Sequence, residues 1–338
     1  MKKSAFLLVL FIFIIFSPIK YANSKIAFSP EQVKPRVINI AAEFVQYWEQ
    51  AKDLPMEDKV KLWDEMIESK HKNFYQQIIY QFLYGTGMEK AKEEKLIRFL
   101  ETVPDRIDRI KECAFTMEDE IVETLQLFKA KYPEFVPIFD YYLAISLDQA
   151  DGAVRPFNNS IICFFGVDAA SNIKSKVRRQ ALIAHESFHL YQFSHLMPKI
   201  MQKYGQINTQ QFMAQTGAGF WMFIEGQAVR ATEHLLPEAG LYAVYEKLIP
   251  EIKEKMPQLA DELLQNMQPM SPQIYKKYFL DPNDDTFVPK KSAYYMGYLI
   301  VKELEEEYSM AEMVKWDFDT INQKMADGLK KLKEVKIK

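Results

Sequence analysis

Apolar residues recur at three- and four-residue spacing along most of this chain. Val37, Ile40, Ala41, Phe44, Val45 and Trp48 form one such stripe. Val60, Leu62, Trp63, Met66 and Ile67 form a second, and Phe74, Ile78, Ile79, Phe82 and Leu83 a third. That is the period of amphipathic helices, and it predicts helix from Ser29 to about Tyr132. Gly85 and Gly87 punctuate the pattern, and Leu96–Leu100 resumes it. Thr116-Met117-Glu118-Asp119 has the form of a capped start, opening a helix lined by Ile121, Leu125 and Phe128. After Pro133 and Pro137 the texture changes. Phe139–Ser146 and Ser160–Val167 are rich in β-branched and aromatic residues, and Asp151-Gly152 between them signals a turn. They predict a short sheet or a long hairpin. Helical spacing then returns from about Ile173 to Leu196 and continues to the end. Breaks are expected at Pro198, Gly205, Gly217/Gly219, Pro237, Pro257 and across Pro269–Pro289. The expected fold is α+β and predominantly helical. A helical portion over 25–135 is followed by a region with a small sheet over 136–338, the two packed as one unit.

The first residues stand apart from this pattern. Met1–Ser4 is basic, Ala5–Phe16 is an unbroken apolar run of twelve residues, and Ser17-Pro18 ends it. Twelve residues of helix span about 18 Å, short of the roughly 30 Å of a bilayer core. The run therefore reads as a signal peptide over 1–24, with Ala22-Asn23-Ser24 as the cleavage site. The expectation is an exported protein, periplasmic or secreted. No second apolar run is long enough to span, so no membrane span is expected once the leader is removed. In such a compartment Cys113 and Cys163, the only cysteines, could pair; buried thiols are equally compatible with the sequence. At 48% hydrophobic and 26% charged, the composition is that of a globular protein. The formal charge is −3, and it becomes more negative when Lys2, Lys3 and Lys20 leave with the leader. A nucleic-acid partner is not expected of such a chain, because phosphate backbones attract positive charge.

The chemistry is concentrated in His185-Glu186-Ser187-Phe188-His189. On a helix, positions i and i+4 lie about 40° apart and one turn along the axis, so two imidazoles converge on one metal ion. Glu186 is rotated about 100° from His185, which sets it beside the metal as a base toward water. A catalytic zinc takes three protein ligands and leaves a position open. Two residues compete for the third place. His195 stands at the metzincin offset, but Gln192 occupies the position of that pattern's glycine, and on a straight helix His195 lies about 9 Å beyond His189. Glu225 is a lone acid in the apolar run Phe220-Trp221-Met222-Phe223-Ile224-Glu225-Gly226-Gln227-Ala228. Burying it is costly unless it is paired or metal-bound.

The zinc motif with a downstream Glu-Gly-x-Ala segment resembles the gluzincin branch of zinc metallopeptidases. More closely, it resembles predicted zinc-dependent proteases exported by bacteria, in which a strand ending much like Phe164-Phe165-Gly166-Val167-Asp168 precedes the zinc helix. The resemblance covers roughly Phe139 to Val301. It implies a zincin-like region, one Zn2+ per chain held by His185, His189 and Glu225, and Glu186 as general base. It also implies a peptide or protein substrate. The interval from His189 to Glu225 is longer than in thermolysin-like and aminopeptidase members, implying an insertion around Pro198–Gly217. Many gluzincins place an acid four residues after the ligand glutamate; this chain has Val229 there. Tyr294-Tyr295-Met296-Gly297 resembles the aminopeptidase segment whose phenol donates to the oxyanion. Tyr294 is thereby the catalytic candidate, with Tyr295 as its alternate. By the same analogy the strand Ser160–Val167 would present an edge for an extended peptide. The rival expectations are a zinc-stabilised helical binding protein without turnover, and a metzincin-like peptidase using His195.

Overall fold

The computed structural model describes residues 35–80, 88–135, 139–158, 160–205, 209–244, 246–267, 270–280 and 288–335. The leader expected over 1–24 lies outside them. Four strands form one mixed sheet: β1 (Arg36–Asn39), β2 (Asp140–Ala144), β3 (Gly152–Phe157) and β4 (Ser160–Gly166), in the order β1-β2-β4-β3. β2 is parallel to both β1 and β4, with Val37 opposite Tyr141 and Tyr142 opposite Phe164. β3 and β4 form the antiparallel hairpin.

Two sequence expectations are corrected here. Val37 belongs to a strand and not to a helix. Val37 and Ile38 are β-branched and pair with β2, and the helix begins only after Asn39, whose side chain accepts from Ala42 N. β4 is an interior strand with β2 on one side and β3 on the other. It offers no free edge to a peptide; among the described residues the outer strands are β1 and β3.

By their contacts the described residues divide into two units, one of 35–126 and 139–183 and the other of 127–135 and 184–335. The first holds the sheet with α1 (Ile40–Ala51), α2 (Met56–Trp63), α3 (Lys72–Phe74), α4 (Met88–Thr102), most of α5 (Ile107–Lys131) and α6 (Val167–Ala170). Phe44, Tyr47, Trp63 and Tyr75 form its aromatic core, each at most 1% exposed. Phe74 stacks on Tyr142 of the sheet. Buried Glu120 accepts from Arg179 at 2.6 and 3.0 Å. α5 runs unbroken through Thr116, so the expected capped start there does not form. Nothing before Thr116 breaks the helix, and Ile110, Cys113 and Ala114 already supply a buried stripe. Cys113 and Cys163 are both buried and are not joined in a disulfide.

The second unit is helical: most of α7 (Lys176–Tyr204), then α8 (Thr209–Leu235), α9 (Ile249–Gln265), α10 (Pro272–Phe279), α11 (Ser292–Leu304), α12 (Met310–Met313) and α13 (Phe318–Lys333). Phe128, Tyr132 and Phe135 pack on Phe188 and Tyr191 of α7. Pro198 and Pro257 lie inside α7 and α9 without ending them. Pro198 is exposed, as is Ser194 one turn earlier, whose carbonyl loses its helical partner. Gly205 does end α7, at φ 65°, and Gly217 kinks α8, at φ 77°.

The tightest crossing is that of α8 and α11. A Cβ on Gly226 would stand 2.2 Å from the carbonyl carbon of Gly297, and one on Gly297 would stand 2.2 Å from the Met222 carbonyl oxygen. Backbone therefore meets backbone, and no side chain can fit between. Gly226→Ala must push the helices apart and should cost about 1–3 kcal/mol, visible as a lower melting midpoint of metal-free protein. Gly219→Ala meets only the ends of the Met267 and Asn322 side chains, which can swing aside, and should cost less. Equal midpoints for the two variants would contradict this account of the crossing.

Candidate metal centre

Two helices bring three donor atoms together. His185 and His189 stand one turn apart on α7, and Glu225 meets them from α8. His185 Nε2 lies 3.2 Å from Glu225 Oε2 and 3.2 Å from His189 Nε2. His189 Nε2 lies 3.4 Å from the same carboxylate oxygen. A tetrahedral ion with bonds of about 2.0 Å holds its ligands about 3.3 Å apart, so these atoms have the spacing of one face of that tetrahedron. Each of the three residues is at most 1% exposed. The packing follows from the sequence around them. Ala181-Leu182-Ile183-Ala184 before the first histidine is wholly buried, as is Phe220–Ile224 before the glutamate. Among the described residues no other group of three such donors converges.

The protonation states suit a metal ion. Gln192, one turn beyond His189, has its Nε2 2.9 Å from the Ile224 carbonyl oxygen and 3.0 Å from Gln227 Oε1. A carbonyl only accepts, so the amide nitrogen of Gln192 must face Ile224 and its oxygen must face the ring of His189, 2.8 Å from Nδ1. His189 therefore carries its proton on Nδ1 and donates it to Gln192. Nε2 is left directed at His185 and Glu225, so the neutral form of this ring is the tautomer a metal ligand needs. Burial pulls His185 down to about 4, so that imidazole is neutral. Burial also acts to lower His189, but the Glu225 carboxylate outweighs it and the net direction is up, which favours a second proton on this ring toward Glu225, in the place a cation would take. For Glu225 burial acts upward, and the two histidines reverse it, holding the carboxylate well below its ordinary range. Two nitrogen lone pairs and a carboxylate oxygen brought this close repel one another unless a cation or a proton lies among them. The donor set and its spacing fit a metal ion.

Two further groups from the sequence reading belong to this neighbourhood. Glu186 is fully buried on α7, and its charge is felt by both His189 and Tyr294. The Tyr294 ring lies nearly parallel to that of His185, with centroids 6.3 Å apart. Burial, reinforced by Glu225, pushes its phenol well above the ordinary value, so it stays protonated and able to donate. Tyr295 instead stacks on Tyr298, and Tyr298 donates to Glu233. His195 is not among the convergent donors. Its half-buried ring packs edge-on against Tyr191 at 5.1 Å, on a helix that does not bend back. Val229 is an apolar, buried residue, as its type suggests.

The sequence reading missed Gln192, Gln227 and Lys291. In the sequence Gln192 stands out only as the absence of a glycine, although its offset of three from His189 puts it on the same helical face. Lys291 caps α11 at φ 52° and holds its ammonium 4.8 Å from the Tyr294 ring centre. No pattern in the sequence marks it out.

The role of Gln192 is measurable. Gln192→Leu keeps the volume and removes the acceptor, and metal affinity should fall about 10–100-fold in a chelator competition. An unchanged affinity would reduce Gln192 to packing. No protein-family model matches this chain, nor does any curated protein or solved structure; what the site can do follows from the geometry of its own residues.

Proposed function

We propose that this protein is a zinc-dependent peptidase of the gluzincin kind, exported under the leader read in residues 1–24. The observation that carries the proposal is the tetrahedral spacing of His185, His189 and Glu225 with Glu186 buried in the same helix turn. Two histidines and a glutamate are a donor set of catalytic zinc, which keeps a fourth position for substrate or water. A zinc ion held there supplies Lewis-acid polarisation of the scissile carbonyl and lowers the pKa of water. Glu186 takes the proton of the attacking water and returns it to the departing amine nitrogen. Tyr294, kept protonated by burial beside Glu225, donates to the oxyanion as charge develops on it. Gln192 holds His189 in the ligand tautomer throughout.

One observation favours a second reading. His185, Glu186, His189, Glu225 and Tyr294 are all at most 1% exposed, and structural zinc sites are closed in this way. Under that reading the ion stabilises the helices and no turnover occurs.

Three substitutions decide between the readings. Glu186→Gln should keep about one zinc per chain while abolishing cleavage of a peptide library, because the base is not a ligand. Glu225→Ala should lose zinc by more than the roughly 10–100-fold expected of an outer partner. His195→Ala should leave metal content nearly intact. A zinc-loaded native protein that cleaves nothing, and whose melting midpoint falls sharply on chelation, would establish the structural role instead. Zinc lost in His195→Ala and kept in Glu225→Ala would overturn the ligand assignment.

A further inference from the structure

The first unit carries a pocket that the metal centre does not account for. It has a volume of about 490 Å³ and is lined from α4, the start of α5 and the turn after β2. That volume is within the range of small-molecule sites. Lys95 and Arg98 stand three residues apart on α4, and Arg106 and Arg109 three apart at the start of α5. Against these four cations the lining has two carboxylates, Asp105 and Asp148, so positive charge is in excess by two. Asp148 is engaged by both arms of Arg106, at 2.7 and 2.6 Å. Arg98 reaches Glu94 at an exposed 3.5 Å. Lys95 and Arg109 have no ion-pair partner among the described residues. Lys95 is nevertheless half-buried, and burial pulls its ammonium below the ordinary value.

One wall of this pocket is strained. Leu147 and Asp148 have consecutive φ values of 55° and 58°, a region that costs a non-glycine residue about 1–2 kcal/mol. Glycines would make this turn without strain. Here the fully buried Asp168 holds it, accepting from Ser146 N at 2.7 Å, Ser146 Oγ at 3.0 Å and Asp148 N at 2.6 Å. The result is a fixed Asp148 carboxylate and, through it, a fixed Arg106 guanidinium in the pocket wall. Strain sustained by this many restraints is characteristic of binding sites.

From the pocket, its excess of two positive charges and its restrained wall, we infer that the first unit binds a small phosphorylated molecule, with the phosphate on Lys95 and Arg109. A carboxylate offers two oxygens in one plane. Lys95 and Arg109 come from two different helices, and a tetrahedral dianion can turn separate oxygens to each. The limited volume and the negative charge of the whole chain favour a small molecule over a nucleic-acid strand.

Titration calorimetry of the full chain with inorganic phosphate tests this, with sodium chloride at equal ionic strength as the blank. Native protein should show saturable binding of one phosphate. Lys95→Gln combined with Arg109→Gln should weaken it at least about tenfold with the melting midpoint unchanged, and Lys95→Arg should retain it. Absence of saturable binding by the native chain would overturn the inference. So would binding that the double variant leaves intact, since the phosphate would then be held elsewhere, the metal centre included.

Discussion

The charge of Glu225 is the constraint on which the second unit depends. An isolated carboxylate in an apolar interior is unfavourable by several kcal/mol and ordinarily takes up a proton. This one is kept ionised by the histidines of α7, which is buried from Arg179 to Phe193, while a pair of glycines holds α8 close against α11. Gln192 then fixes which nitrogen of His189 carries the proton. Packing, hydrogen bonding and charge thus converge on one point. A divalent cation there would stabilise the packed helices by the same interactions that let them bind it.

The first unit has its own buried acid, and the comparison is instructive. Burial and Asp148 push Asp168 up to about 6, while the N–H groups of Ser146 and Asp148, with Arg106, pull the other way. No histidine accepts its charge; backbone donors do, and in doing so they hold two residues in the left-handed region. One carboxylate organises a donor cluster for a cation. The other organises a turn whose outer face presents cations.

Much of the candidate metal site was legible in the sequence because its parts are local. The two histidines and Glu186 lie within five residues on a helix, and helical geometry alone makes them converge. Glu225 was legible for a different reason: an acid amid Phe220–Ile224 needs a partner wherever the fold places it. Gln192 was not, because an uncharged amide in a helix carries no sign of need until its neighbours are known. The sheet shows the same boundary. The strand character of Phe139–Ser146 and Ser160–Val167 was readable, since residue type reports it. That β1 would slot beside β2, and that β4 would lie inside the sheet, depends on pairings across more than a hundred residues, or between strands whose order no local pattern records. Pro198 sits within a helix because it lies on an exposed face, which is a property of the surface and not of the local sequence.

The kink at Gly217 bears on how such a chain can vary. In an unbroken helix, each added residue turns everything beyond it by about 100°. Gly217, at φ 77° and ψ 170°, interrupts that transmission. Its two sides are tied down from elsewhere: Ala218 N donates to the Met267 carbonyl at 2.8 Å, and Asn322 donates to the Thr216 carbonyl at 3.2 Å. The rotational phase of the segment carrying Glu225 is thereby set by Met267 and the glycine crossing, and not by the length of chain that precedes it. Residues can accumulate or disappear between the second histidine and Gly217 without swinging the glutamate away from its partners.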